Sequence, residues 1–404
     1  MARSTRLVLA VALALALALL AIGCGSNDGG TTTTAAGTST ESVEVVIGIG
    51  APLTDGAVAL GQGMVRGANL AVKEANESQE LIDLGITLST VEGDDKGDPT
   101  TGGNVAEQFA SNQNLVAVMG HLNSGVTRVA VKVYAQNDIL QVSPANTAVD
   151  LTIPRSNANY FRVCANDGVQ GPAAADYASK AGFKTAYVVD DSTPYGEGLA
   201  DAWAAQFEAN GGTVLGREKT ADKDTDFKAL VTTIKAQNPE LVYYGGIYNA
   251  GALLSKQLKE GGVAVPMMAG DGVFDPEYIK LAGAANAEGD LCTSVGLPTD
   301  QMPKGQDFIA SYDAMYPGEA MAAYDAYSYD AAKVIITAIV QVAKDMGADK
   351  LTTPEGKKAI IAATQGISFE SVTGTVSFDE NGDTNNKAIT VYKVVGGAWT
   401  PEKM

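Results

Sequence analysis

From Val43 onward the chain alternates repeatedly between short runs rich in β-branched residues and stretches with helical periodicity. Strands are predicted at Val43–Gly50, Ile86–Val91, Leu115–Met119 and Leu140–Ser143, and in a second series at Thr185–Val189, Thr213–Leu215, Leu241–Tyr244 and Pro266–Ala269. Gly61–Asn76 reads as a helix because Met64, Ala68, Ala71, Val72 and Ala75 recur on one face. Another helix should start at Asp98-Pro99, an N-cap acid followed by a proline whose missing N–H is harmless at the first position. Alternation on this scale implies parallel sheets with right-handed crossovers, and two series imply two α/β lobes. The last part differs. Ala323–Lys344 is predicted as one long helix, and Gly374–Phe378 with Ala388–Val394 as a hairpin. Its turn would be Asp379-Glu380-Asn381-Gly382-Asp383, where Asn-Gly favours positive φ. That acidic run lacks the spacing and terminal Glu of a calcium loop, so it is read as a turn.

The first residues carry a different signal. Arg3 and Arg6 precede Leu7–Ile22, an uninterrupted apolar run that is short for a membrane span and ends in small residues, as an export signal does. Ala21-Ile22-Gly23-Cys24 follows and resembles a bacterial lipobox. The resemblance implies a signal peptide over 1–23, cleavage before Cys24 and lipidation of Cys24. Two or three acyl chains would hold the protein stably at a membrane, where one is marginal. A plain signal peptide with an incidental cysteine, or an uncleaved anchor, is the alternative. Residues 24–42 are rich in Gly, Ser and Thr and read as a flexible tether.

Charge and composition then remove function classes. The formal net charge is −19, and loss of Arg3 and Arg6 with the signal would deepen it. Such a surface argues against nucleic acid and against electrostatic docking on anionic lipid; its plain reading is solubility. His121 is the single histidine, so a His-based metal site is excluded and a Ser-His-Asp triad has one place to stand. Gly48-Ile49-Gly50 follows a strand as a dinucleotide fingerprint would, but the third glycine position is Leu53 and Pro52 breaks the helix start. Leu122-Asn123-Ser124-Gly125-Val126 is no nucleophile elbow, and the spacing of His121 from Ser124 does not make a catalytic pair. No enzyme, cofactor or metal is therefore expected. What remains is a set of loops after strands: Ala51–Gly61, Gly120–Gly125, Ser143–Thr147, Asp190–Gly198, Gly245–Asn249 and Ala269–Phe274. In parallel α/β sheets ligands sit beyond the strands' carboxyl ends, where helix N-termini offer unpaired N–H groups.

These loops and their flanks carry a strong resemblance. Ile47-Gly48-Ile49-Gly50-Ala51-Pro52-Leu53-Thr54, Gly67-Ala68-Asn69-Leu70-Ala71-Val72, Val118-Met119-Gly120-His121-Leu122-Asn123-Ser124, Ser143-Pro144-Ala145, Tyr195-Gly196-Glu197-Gly198, Asp226-Phe227 and Tyr243-Tyr244-Gly245-Gly246 occur in the order found in the leucine/isoleucine/valine-binding protein family, type I periplasmic solute receptors of ABC transporters. The resemblance implies two Rossmann-like lobes with parallel sheets joined by a three-segment hinge, the type I periplasmic binding protein fold. Lobe 1 would hold 43–163 plus 294–372, and lobe 2 would hold 164–293 plus 373–404. It further implies an exported, lipid-anchored monomer that closes on an amino acid, branched-chain or otherwise aliphatic, and delivers it to the permease subunits of an ABC transporter. A sensor of the same fold, or a receptor for an amide, urea-type or aromatic acid solute, is the alternative.

Site residues follow from the same resemblance. Ser124 and Thr147 would hold the ligand carboxylate, with backbone groups of Ala145; each is expected to precede a helix start, which suits an anion. Asp271 would meet the ammonium, at a position where the family carries Glu. Tyr195 would pack on the ligand. Leu60, Leu122, Ile247 and Tyr324 would line the side-chain pocket, with Leu60 and Ile247 where aromatics are usual and Tyr324 in place of Phe. His121 is expected behind the pocket. Cys164 and Cys292 fall at crossings between lobes, and a bridge between them is expected in an oxidising compartment, with two buried thiols as the alternative.

Overall fold

The computed structural model describes residues 42–402; the export segment, Cys24 and all but the last residue of the tether lie outside them. The chain begins with β1 (Val43–Ala51), α1 (Val58–Asn76), α2 (Gln79–Leu84), β2 (Ile86–Asp94), α3 (Pro99–Ser111), β3 (Leu115–Gly120), α4 (Ser124–Gln136), β4 (Leu140–Ser143) and β5 (Tyr160–Arg162). These strands form one all-parallel sheet in the order β2-β1-β3-β4-β5. Every residue of β3 and β4 is buried; β3 reads as a continuous apolar run for that reason, whereas β4 buries the polar Gln141 and Ser143 as well. Asp98 caps α3 as its sequence requires, Oδ1 accepting from Thr101 N–H at 2.7 Å, with Pro99 in the first turn.

The second series comprises α5 (Asp167–Lys180), β6 (Thr185–Asp190), α6 (Pro194–Ala209), β7 (Thr213–Lys219), α7 (Lys228–Gln237), β8 (Leu241–Gly245), α8 (Tyr248–Glu260), β9 (Met267–Ala269), α9 (Pro276–Ala282), α10 (Ala284–Ala287) and β10 (Leu291–Ser294). Then come α11 (Gly305–Met315), α12 (Asp325–Met346), α13 (Pro354–Thr364), β11 (Ser368–Ser371), β12 (Gly374–Ser377), β13 (Thr390–Val395) and β14 (Ala398–Pro401). The second sheet runs β14-β13-β10-β9-β8-β6-β7, parallel except where β13 joins β10 and β14. The long α12 packs on α1 and against β3 and β4, so it belongs with the first sheet. The chain thus crosses between lobes three times: after β5, after β10 and before β13. The fold is two α/β lobes with largely parallel sheets.

Three local expectations change. The hairpin between Gly374–Phe378 and Ala388–Val394 does not form: β12 pairs antiparallel with β11, and β13 pairs with β10 and β14. The acidic turn survives, with Asp383 O accepting from Asp379 N–H at 2.8 Å and Gly382 at φ +81°. Cys164 and Cys292 are not bridged; both are buried free thiols. Cys164 Sγ is directed at Asn146 O at 3.5 Å, while Cys292 sits inside β10 with Tyr392 and Ala269 as register partners. The glycines at 48 and 50 make room for side chains: a Cβ at Gly48 would lie 2.9 Å from the Phe109 ring, and one at Gly50 would lie 2.4 Å from the ring of His121.

The crossings after β5 and before β13 are locked together by Arg162. Its guanidinium is wholly buried and reaches Asp383 Oδ1 at 2.6 Å, Ala148 O at 2.8 Å, Asn146 O at 3.1 Å and Thr152 Oγ1 at 2.5 Å. Asn166 Nδ2 donates to the other oxygen of Asp383 at 2.7 Å.

Candidate functional site

The carboxyl ends of β1, β3 and β4 in one lobe and of β6, β8 and β9 in the other open onto one shared cavity of about 450 Å³. This is where the physics of parallel sheets puts a ligand. Lobe 1 contributes Leu60, Leu122, Ser124, Ala145 and Tyr324, and lobe 2 contributes Tyr195, Ile247 and Gly272. Seven of the nine expected ligand residues are therefore on its wall; Thr147 and Asp271 are set behind it.

Ser124 opens α4. The first intrahelical bond runs from Thr127 N–H to Asn123 O at 3.1 Å, so the N–H groups of Ser124, Gly125 and Val126 have no acceptor within the helix. They give this end of the cavity a positive pole. Ser124 Oγ accepts from Ala148 N–H at 3.3 Å, which ties α4 to the loop after β4. In that loop Ala145 N–H donates to Ser143 Oγ at 3.2 Å. Thr147 departs from expectation: it precedes only the three-residue 3₁₀ turn Val149–Leu151, which is too short to supply a helix dipole. Its hydroxyl is buried and has no hydrogen-bond partner among the described residues.

Asp271 lies just behind the wall. Its carboxylate is held by neighbouring side chains rather than standing open on the wall. Oδ1 accepts from Tyr195 Oη at 2.8 Å and Gln170 Nε2 at 3.0 Å, and Oδ2 accepts from Tyr324 Oη at 2.5 Å. Tyr195 is placed by the cap of α6, where Thr193 Oγ1 accepts from Gly196 N–H at 3.0 Å. Tyr324 precedes α12, so its bond to Asp271 spans the two lobes; Phe at this position could not make it. Two further bonds cross the cleft: Ala59 N–H to Tyr248 Oη at 3.3 Å and Lys223 Nζ to Asp55 Oδ2 at 3.1 Å. Burial raises the pKa of Asp271, and the bonds from Tyr324, Gln170 and Tyr195 oppose that shift.

Asp167 also belongs to this cluster, and nothing local in the sequence points to it. It opens α5 just after the first crossing and is 1% exposed. Gln170 Nε2 lies 3.4 Å from its Oδ1 and 3.0 Å from Asp271 Oδ1, so one amide faces both acids. Asp167 Oδ2 has no partner among the described residues. Burial, then the nearby charge of Asp271, push its pKa up to about 8. An acid in a helix's first turn is ordinary in sequence; only the fold sets it against a second acid. His121 lies behind the cavity, buried, with Nδ1 2.6 Å from Asp95 Oδ2 and Nε2 2.8 Å from Tyr134 Oη. Among the described residues no group of three or more His, Cys, Asp or Glu is placed to hold a metal ion.

The cleft and its lobes recur in known proteins. The periplasmic binding protein family model matches residues 44–398. The Leu/Ile/Val-binding protein homolog 1 of Brucella melitensis is 33% identical over 356 residues, covering 87% of this chain and 91% of the relative. The Leu/Ile/Val-binding protein BraC3 of Rhizobium johnstonii is 33% identical over 358 residues, covering 87% and 92%. Among solved structures, the leucine-binding protein LivK of Thermotoga maritima superposes with a TM-score of 0.80 at 28% identity, covering 89% of this chain and 98% of that one. An ABC transporter substrate-binding protein of Desulfitobacterium hafniense in complex with Leu gives 0.69 at 26%, covering 89% and 100%. Since the match runs through both sheets and every loop that builds the cavity, the chain belongs to the periplasmic binding protein family.

Proposed function

We propose that this chain is the extracytoplasmic solute-binding component of an ABC transporter, and that it captures an amino acid, branched-chain or otherwise aliphatic, and delivers it to a membrane permease. The observation that carries this reading is the polarity of one cavity. A helix N-terminus with Ser124 stands on one lobe, and the acids Asp271 and Asp167 stand behind the opposite wall. Those poles suit a carboxylate and an ammonium on one small molecule. Leu60, Leu122 and Ile247 offer an apolar wall to its side chain. The relatives named for leucine, isoleucine and valine, and the Leu complex of a similar structure, support the same assignment. Ligand would first meet lobe 1 through Ser124, Ala145 and Thr147. Tyr195 and Asp271 from lobe 2 would then close over it, and the interactions made only in the closed form would favour that form. Binding and release, with no bond made or broken, is the whole of the proposed activity, and the receptor acts as a monomer. A thermal-shift screen of the soluble chain lacking residues 1–24 tests this. Leucine, isoleucine or valine at about a hundred times Kd should add about 2.7 kcal/mol of apparent stability. No shift with any amino acid would reject the reading.

The proposed location is the outer face of the cell membrane, held by lipid on Cys24. The lipobox-like Ala21-Ile22-Gly23-Cys24 and the tether after it support this. No helix among the described residues is long and apolar enough to cross a membrane. Cys24→Ser should move the protein from the membrane fraction to the soluble fraction. Retention of the variant in membranes would show that the anchor is something else.

A further inference from the structure

The cavity wall is mixed in character. Around Ser124 and Tyr324 its wall is apolar, made by Leu60, Leu122 and Ile247. The same wall also carries Asn123 and Asp98, which follow β3 and β2 in lobe 1, and Asp191 and Asp222, which follow β6 and β7 in lobe 2. A leucine, counted at the volume of about 30 Å³ that a water takes in the liquid for each non-hydrogen atom, fills roughly 270 Å³. The cavity of about 450 Å³ therefore has room for a longer side chain.

Two acceptors on this wall lack a donor. Asn123 Oδ1 and Asp191 Oδ2 are both buried, and neither has a hydrogen-bond partner among the described residues. Asp191 is 2% exposed, and its other oxygen is already taken by Thr193, from N–H at 3.0 Å and Oγ1 at 2.6 Å. Asn123 stands at the N-cap position of α4, where an Asn side chain ordinarily accepts from the helix, yet it makes no such bond. Its amide is unspent on the fold. The cation on this wall, Lys223, points its ammonium at Asp55 at 3.1 Å, which leaves the lining acids Asp98, Asp191 and Asp222 in excess. A buried acceptor without a donor is unfavourable, and a cationic N–H group satisfies a carboxylate more strongly than a neutral one does.

We propose that the ligand range of this receptor extends past branched-chain amino acids to amino acids whose aliphatic stem ends in a cationic N–H donor, the stem lying along Leu60, Leu122 and Ile247 and the donor bonding Asn123 and Asp191. The inference rests on the amino-acid reading above and concerns the ligand's side chain rather than its head groups. Both Asn123 and Asp191 then act as specificity residues, and the head-group contacts are unchanged.

Calorimetry on the detergent-solubilised full chain with L-lysine, L-arginine, L-glutamine, L-norleucine and L-leucine tests it. Norleucine has the stem of lysine without its distal nitrogen. Lysine or arginine should bind at least about tenfold more tightly than norleucine, since a site built to bond a donor rejects the analogue that lacks it. Glutamine should fall between them, because its donor is neutral. Asn123→Leu and Asp191→Asn should each shrink the advantage of lysine over norleucine. Two variants are needed because Asp191 also braces the start of α6. Norleucine matching or exceeding lysine and arginine overturns the inference and leaves the amino-acid reading standing. Glutamine surpassing both cations overturns the cationic assignment. An advantage for lysine that survives in both variants removes Asn123 and Asp191 as its cause. Heat from none of the five ligands overturns the amino-acid reading and the inference with it.

Discussion

Asp271→Asn should weaken amino-acid binding by about 2–5 kcal/mol, the range for truncating one side of a buried charge pair. The carboxylate accepts from three side chains, Tyr195, Gln170 and Tyr324, and all three are donors. An amide in its place turns one acceptor into a donor, so a tyrosine hydroxyl that faces it must turn from donor to acceptor to keep its bond, and the charge-assisted character of all three bonds is lost. It also removes the negative charge that a ligand ammonium would face. The bond most exposed to this change is that of Tyr324, which joins the lobes, so the variant should close less readily as well as bind less tightly. A titration calorimeter reports both effects, and unchanged affinity for leucine, isoleucine and valine would remove Asp271 from the site. Proton release adds a second, independent reading. With its pKa raised to about 8, Asp167 carries a proton at neutral pH in the free protein, because burial and Asp271 disfavour its charge. An ammonium bound in the cavity beside the two acids favours their charged forms, so binding at pH 7 should release a fraction of a proton. Binding heats measured in buffers of different ionisation enthalpy should differ accordingly. In Asp271→Asn one repelling charge is gone, Asp167 ionises more readily before ligand arrives, and the release should shrink.

What is legible in the sequence divides along a physical line. The strands and helices of both sheets are readable because strand–helix alternation is local. The fully buried β3 even announces its burial as an unbroken apolar run, which β4, with Gln141 and Ser143, does not. The strands after residue 368 pair otherwise than expected because their partners are remote: β13 joins β10, with Cys292 opposite Tyr392, and no nearby residue signals that. The wall of the cavity is legible through family resemblance, which picks out Leu60, Leu122, Ser124, Ala145, Tyr195, Ile247 and Tyr324, and the fold brings them together. The role of Asp271 is only half legible. A Tyr in place of Phe at 324 is visible in sequence, but that its hydroxyl crosses the cleft to this acid is not. Asp167 and Arg162 escape a sequence reading for one reason: a residue's charge is local, whereas the desolvation and partners that give it a role come from segments far along the chain.

Asp383→Ala should destabilise the folded chain by about 3–5 kcal/mol, because it leaves the Arg162 guanidinium buried without a carboxylate. Arg162 is wholly buried, and its remaining partners are the neutral Asn146 O, Ala148 O and Thr152 Oγ1. They can accept its hydrogens but cannot offset its charge. At an unfolding entropy of about 2.1 cal/mol/K per residue, that loss lowers Tm by roughly 4–6 °C for a chain of this size. Burial would raise the pKa of Asp383, but the charge and hydrogen bond of Arg162 outweigh it and hold the carboxyl below its ordinary value. A depressed folded pKa stabilises the protein above the unfolded value of 3.8 and loses that contribution as pH falls through the folded one. The wild-type chain should therefore lose part of its stability below about pH 4, and the variant should show less of this dependence. The double variant Arg162→Met, Asp383→Leu separates charge from packing. If the penalty is the uncompensated cation, removing both members should recover stability relative to Asp383→Ala alone. If the double variant is no more stable than the single one, the loss lies in the geometry of the crossing, where Arg162 N–H also donates to Gly382 O at 3.1 Å. The pair joins two of the three segments about which the lobes must turn, so its loss should also alter closure. A ligand affinity unchanged in Asp383→Ala, measured well below its Tm, would confine the role of Arg162 to stability.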